Sequence, residues 1–175
     1  TDLAAIQRRT LRVLLAAQVL AGVGLAAGIT VGALLAEDML GATGWAGLPA
    51  ALFTGGSAVA AVAIARLSAG WGRRPGLAAG YGVGALGGAA VVVAAAVDSP
   101  ALLLPGLLLY GAGSAANLQA RYAGADLATP ERRGRAIATV LVATTLGAVL
   151  GPNLVGPTGD MAGALGIPEL AGPFM

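Results

Sequence analysis

Few side chains in this sequence can do chemistry, and three of them share one stretch, NLQARYAGAD (117–126). Asn117 and Arg121 are four residues apart, with Gly113 four before, so all three lie on one face if the stretch is helical. Gln119 points elsewhere, and Asp126 follows about a turn after Arg121. These groups offer hydrogen bonding and ion pairing rather than bond-making chemistry. The chain has no cysteine and no histidine, which removes disulfides, thiol chemistry, zinc sites and Ser-His-Asp triads. Gly82-Val83-Gly84-Ala85-Leu86-Gly87 spells the dinucleotide fingerprint GxGxxG. It follows no strand and has no acidic residue about 20 positions on, so no cofactor is expected from it. No catalytic residue, cofactor or metal is therefore assigned, and an enzyme is not expected.

The elements that must hold these groups are set by composition. Of 175 residues, 57% are hydrophobic, 10% are charged and 29 are glycine. An ordinary soluble domain is about a quarter charged. The mean hydropathy is +0.84. There is too little polar surface to clothe a soluble core, and the class is a membrane protein. Apolar runs long enough to cross a bilayer fall at about 11–36, 44–69, 76–97, 101–128 and 136–157. The tail from 158 to 175 is too short and broken to cross, and reads as an extracytoplasmic loop leading toward a sixth helix. The first run is too long for a signal-peptide core.

All ten basic residues are arginine. Nine of them gather before the first span (Arg8, Arg9, Arg12), around the second loop (Arg66, Arg73, Arg74) and around the fourth (Arg132, Arg133, Arg135), and the tenth is Arg121. The other loops carry Glu37, Asp38, Asp98 and Asp160. By the positive-inside rule the N-terminus and the arginine loops are cytoplasmic. The net charge of +2 is too small, and its spacing wrong, for nucleic acid. The expected location is the cell inner membrane, crossed several times, with the lipid bilayer as partner.

Inside a span, an ionisable side chain is a functional candidate by default. Arginine at mid-bilayer costs around 3 kcal/mol on insertion scales, and less near an end where it can snorkel. Two readings stay open for Arg121 and Asp126. Either Arg121 snorkels while Asp126 caps a helix or pairs with a loop arginine, or they belong to a charge network that closes the cytoplasmic side. Gln18, Asn117 and Thr144 are the candidates to line a polar cavity, with Thr145 a weaker one. Thr144 could also bond its own backbone.

Glycine recurs every four residues at Gly24, Gly28 and Gly32, and again at Gly76, Gly80, Gly84 and Gly88. Such faces let helix backbones approach closely in lipid, as static packing or as surfaces that slide. Gly147, Gly151, Pro152, Gly156 and Pro157 weaken the fifth span. Proline frees a carbonyl near Ala148 and kinks a helix, so a hinge or a crossing seam is expected there.

LGAVLGPNLVG resembles the fifth-helix glycine-proline signature GxxxGPxxG of major facilitator superfamily transporters, best known in exporters of the antiporter type. Gly147, Gly151 and Pro152 match, and Gly156 falls one residue late. ARLSAGWGRRPG is similar to the superfamily's motif GxxxD(R/K)xG(R/K)(R/K) after the second helix. Gly72, Arg73 and Arg74 match, while Ala65, Ala69 and Gly70 stand where the motif has glycine, aspartate and a basic residue. Asp126 sits where the family often places an acid for the loop arginine, so the resemblance implies an Arg73–Asp126 pair. The arginine that many exporters carry in the fourth helix falls near Leu107 and is absent.

The resemblance implies the N-terminal, five-span part of an all-α transporter. Its small-molecule substrate would cross by alternating access, with export and proton coupling as the family's pattern. Gly72, Arg73, Arg74, Arg121, Asp126, Gly147, Gly151, Pro152 and Gly156 would serve gating and bending. The family's half has six helices and its full fold twelve, so a C-terminal half or second chain is an expected partner. The alternative is a non-transporting membrane subunit or scaffold that docks through its glycine faces.

Overall fold

A computed structural model describes residues 3–41, 47–126 and 128–175, with residues 3–5 described by their backbone alone. Five helices follow in order: α1 Leu3–Leu40, α2 Leu48–Trp71, α3 Arg73–Ala96, α4 Pro100–Ala123 and α5 Pro130–Ala164. A short 3₁₀ helix, Glu169–Phe174, closes the chain. Among the described residues there is no strand. All five α-helices are long and apolar enough to cross a membrane.

Several boundaries differ from the sequence reading. At 38 residues, α1 outruns its apolar stretch at both ends and takes in Arg8, Arg9 and Arg12. Gly44–Ala46, expected to open the second span, lie outside the described residues, as does Leu127. The fourth helix stops at Ala123 rather than at 128. Gly124 follows it in a turn closed by Ala125 N–H to the Tyr122 carbonyl, 2.9 Å. Pro130 then forces Thr129 to be extended, at φ −64° and ψ 155°. The second loop shrinks to Gly72 alone, at φ 92° and ψ 168°. That backbone region is essentially closed to side chains, so one glycine turns the chain by itself and Pro75 falls in the first turn of α3.

The fifth helix corrects the sequence reading more strongly. It runs unbroken through Pro152 and Pro157 to Ala164, so residues 158–164 are helix rather than loop. Side chains add bonds beside the carbonyls of Ala148 and Asn153, which the prolines leave without an i+4 donor. Asn153 Nδ2 donates to the Val149 carbonyl at 2.8 Å, and Thr158 Oγ1 to the Leu154 carbonyl at 2.6 Å. Gly166, at φ 73°, then ends the helix, with Ile167 N–H reaching back to the Ala162 carbonyl at 3.0 Å.

The 3₁₀ helix folds back onto the bundle. Ala171 and Phe174 join Leu35, Val91, Leu103 and Leu107 in the largest buried cluster. The Phe174 ring meets Tyr110 edge-on, 5.2 Å between centroids. Packing pairs α1 with α5, and sets α2 and α3 against α4. Leucine and valine stay exposed around the outside, including Val59, Leu86, Leu146 and Val149. With so few charges, that surface faces hydrocarbon.

Candidate functional site

Inside this apolar bundle polar side chains of α1, α3 and α5 meet a main-chain carbonyl of α4. Gln18 of α1 is fully buried. Its Nε2 donates to Thr144 Oγ1 of α5 at 2.8 Å and to the Asn117 carbonyl of α4 at 3.3 Å. Its Oε1 accepts from the Tyr81 hydroxyl of α3 at 2.7 Å. Thr144 in turn donates to the Val140 carbonyl, 3.2 Å. One amide therefore bridges α1, α3, α4 and α5. The three residues expected to line a cavity, Gln18, Asn117 and Thr144, come together as a closed cluster.

Two donors in this region have no acceptor. Asn117 Nδ2 and Arg121 Nε are buried and make no hydrogen bond among the described residues. They lie one turn apart on α4, as their spacing predicts. The Arg121 charge is within coulombic reach of Tyr81. A buried donor left unpaired costs about 1–3 kcal/mol, so the site holds unspent hydrogen-bonding capacity.

A second polar tie lies at the arginine-bearing end. Arg73 Nε donates to Asp126 Oδ2 at 2.9 Å, the pair implied by the resemblance, with both side chains over two-fifths exposed. It joins the start of α3 to the turn after α4. Gln7 Nε2 donates to the Gly124 carbonyl at 3.0 Å, tying α1 to the same turn. Arg121 and Asp126, grouped in the sequence, are not bonded to each other. Arg74 is exposed.

The glycines of α5 divide. A methyl group on Gly147 would strike the Val19 carbonyl and sit 2.9 Å from Gly22 Cα. On Gly151 it would sit 2.7 Å from the Val23 carbonyl. These two form the α1–α5 seam. Gly156 corrects the expectation of close packing: it is exposed, with open space where a side chain would go. Pro152 is exposed too. Along α1, Gly28 receives the Tyr110 ring rather than a helix backbone, and the Tyr110 hydroxyl donates to the Gly24 carbonyl at 2.7 Å.

Gln119 reaches α2 through the Ala61 carbonyl, 3.0 Å, and Thr145 bonds only its own helix. The sequence reading did not single out Tyr81, Tyr110 or Gln7. A signal for the tyrosines existed: a hydroxyl inside an apolar span must find a partner, and the chain has only three tyrosines.

A strandless set of five membrane-length helices, apolar outside and tied by buried amides and hydroxyls within, is a multi-pass membrane protein. Two curated relatives from Bacillus subtilis (strain 168) place it more closely. The uncharacterized MFS-type transporter YddS is 55% identical over 170 residues, covering 97% of this chain and 39% of YddS. The uncharacterized MFS-type transporter YdeG is 54% identical over 170 residues, covering 97% of this chain and 40% of YdeG. The chain belongs to the major facilitator superfamily, and spans about 40% of the length of these relatives. No family model and no solved structure matches it significantly.

Proposed function

We propose that this chain is the N-terminal, five-helix part of a secondary active transporter that moves a small molecule by alternating access. The observation that carries the reading is the identity of about 55% to two MFS-type transporters along nearly the whole chain. A C-terminal half or a second chain completes the bundle, because alternating access needs two bodies rocking about a central site. The arginine-bearing ends face the cytoplasm, in line with the positive-inside rule. Export is the direction supported by the α5 signature.

The geometry suggests a division of labour. Arg73–Asp126 and Gln7–Gly124 hold the ends of α1, α3 and α4 together on the arginine side. Both contacts are partly or largely exposed, and an exposed ion pair contributes about 0–1 kcal/mol. A latch of that strength opens easily. Gly72 and Arg74 shape the same turn. The Gly147–Gly151 seam lets α5 and α1 move as one unit, with Pro152 just beyond it. Asn117 and Arg121 offer spare donors that a moving state can engage. The scaffold alternative is less well supported, because the glycine faces already pack within this chain.

The test is flux into proteoliposomes carrying the complete gene product, with and without a pH gradient. Arg121→Ala and Asp126→Asn are expected to slow flux at least tenfold and to change its pH dependence. Unchanged flux in both variants would overturn the charge gate. No flux of any tried solute, in a folded protein, would favour the scaffold.

A further inference from the structure

We propose that Asn117 Nδ2 and Arg121 Nε are donors of a binding site for an oxyanion, the carboxylate or phosphate group of a solute. Both nitrogens are buried, and neither has a hydrogen-bond partner among the described residues. Asn117 is only 3% exposed. The two residues are one turn apart on α4. Side chains on a helix lean toward its N-terminus, so Arg121 leans over the turn that carries Asn117. The Arg121 charge also reaches the Tyr81 hydroxyl, which bonds to Gln18, as the Asn117 carbonyl does. The spare donors therefore lie beside the Gln18 hub.

What this part of the chain lacks is an anion. A sealed guanidinium nitrogen is costly unless an acceptor meets it. The nearest acid along the chain is Asp126, and Arg73 holds it at 2.9 Å. Glu131 is exposed and bonds to Thr129 at the start of α5. Glu37, Asp38, Asp98 and Asp160 stand at the opposite ends of their helices. One oxyanion would balance the Arg121 charge, and its oxygens can accept from both nitrogens at once. Arg121 lies in the last turn of α4 and Asn117 one turn deeper, so an anion arriving from the arginine-bearing end meets Arg121 first. The inference rests on the alternating-access reading in one respect: the donors are sealed here, and the site takes its ligand when that end opens.

Thermal unfolding of the complete gene product in one detergent tests the site, because a ligand of the folded state raises its midpoint by mass action. The probes are benzoate and inorganic phosphate at matched ionic strength, with benzamide as the uncharged counterpart of benzoate. At least one oxyanion should raise the wild-type midpoint saturably, and benzamide should not. A response to benzoate alone assigns a carboxylate, and one to phosphate alone a phosphate group. Arg121→Gln should weaken the apparent affinity at least tenfold, and Asn117→Leu about threefold. Asn117→Asp places a carboxylate one turn from Arg121. It should raise the midpoint of the ligand-free protein and abolish the response to the probes. No response to either oxyanion overturns the proposal, as does an equal response in Arg121→Gln, which would mean anions gathering on the exposed arginines. A wild-type response retained in Asn117→Asp overturns it too. Solute flux without any oxyanion response would sink this site and leave the transporter reading standing. An oxyanion response lost in Arg121→Gln, in a protein without flux, would do the reverse.

Discussion

At the scale of single residues, stability and function are expected to separate at α4. Asn117 Nδ2 is buried without an acceptor. Replacing an unsatisfied donor by an apolar group of similar shape is neutral or stabilising. Asn117→Leu should therefore leave the thermal midpoint unchanged or raised, while flux falls. A clear drop in the midpoint would mean that the amide is bonded after all. Gln18 is the opposite case. Its amide serves Thr144, Asn117 and Tyr81, and hydrogen bonds between membrane helices contribute about 0.6 kcal/mol each, up to about 1.7. Gln18→Leu should cost about 2 kcal/mol and Tyr81→Phe about 1, read as loss of thermal midpoint in one detergent. Equal effects of the two would argue against Gln18 as the hub.

Element-scale effects should follow where glycine meets a neighbour. Gly147 and Gly156 are both helical glycines of α5, so propensity alone favours alanine at each by up to about 1 kcal/mol. Their surroundings differ: one faces the α1 backbone and the other faces open space. Gly147→Ala should destabilise the bundle by forcing α1 and α5 apart, whereas Gly156→Ala should be neutral or stabilising. If both behave alike, the α1–α5 seam is misplaced. Gly72→Ala tests the turn between α2 and α3. At φ 92° and ψ 168° a methyl group should cost about 1–3 kcal/mol, although nothing lies within 4 Å of the position. A neutral result would show that the turn relaxes without glycine.

For the whole molecule, sidedness is the property to measure. The chain carries no native cysteine, so single cysteines here report on their own position. Arg74→Cys and Asp98→Cys are expected to label from opposite faces of sealed vesicles with a membrane-impermeant maleimide. The first should react from the cytoplasmic face. Labelling of both from one face would break the five-span arrangement. The bundle carries a half-exposed ion pair at the arginine end, and in its middle a set of bonds converging on the fully buried Gln18.

By itself the sequence determined the solvent, the number of crossings and the membership of an all-α bundle, because those follow from runs of apolar residues and from where arginines fall. It also placed Asn117 and Arg121 on one face, whereas the Arg73–Asp126 pair was implied by the resemblance to major facilitator transporters. Only the tertiary structure decided which partners those faces meet. Gln18, Asn117 and Thr144 lie 99 and 126 residues apart in the pairs Gln18–Asn117 and Gln18–Thr144, and no local period encodes their meeting. Periodicity did separate Gly147 from Gly156, which are nine residues apart and so on opposite faces of α5, but it could not tell which of those faces meets α1. The helical course of 158–164 was hidden for a related reason: proline and glycine lower local propensity, and packing against the returning 3₁₀ helix overrides it.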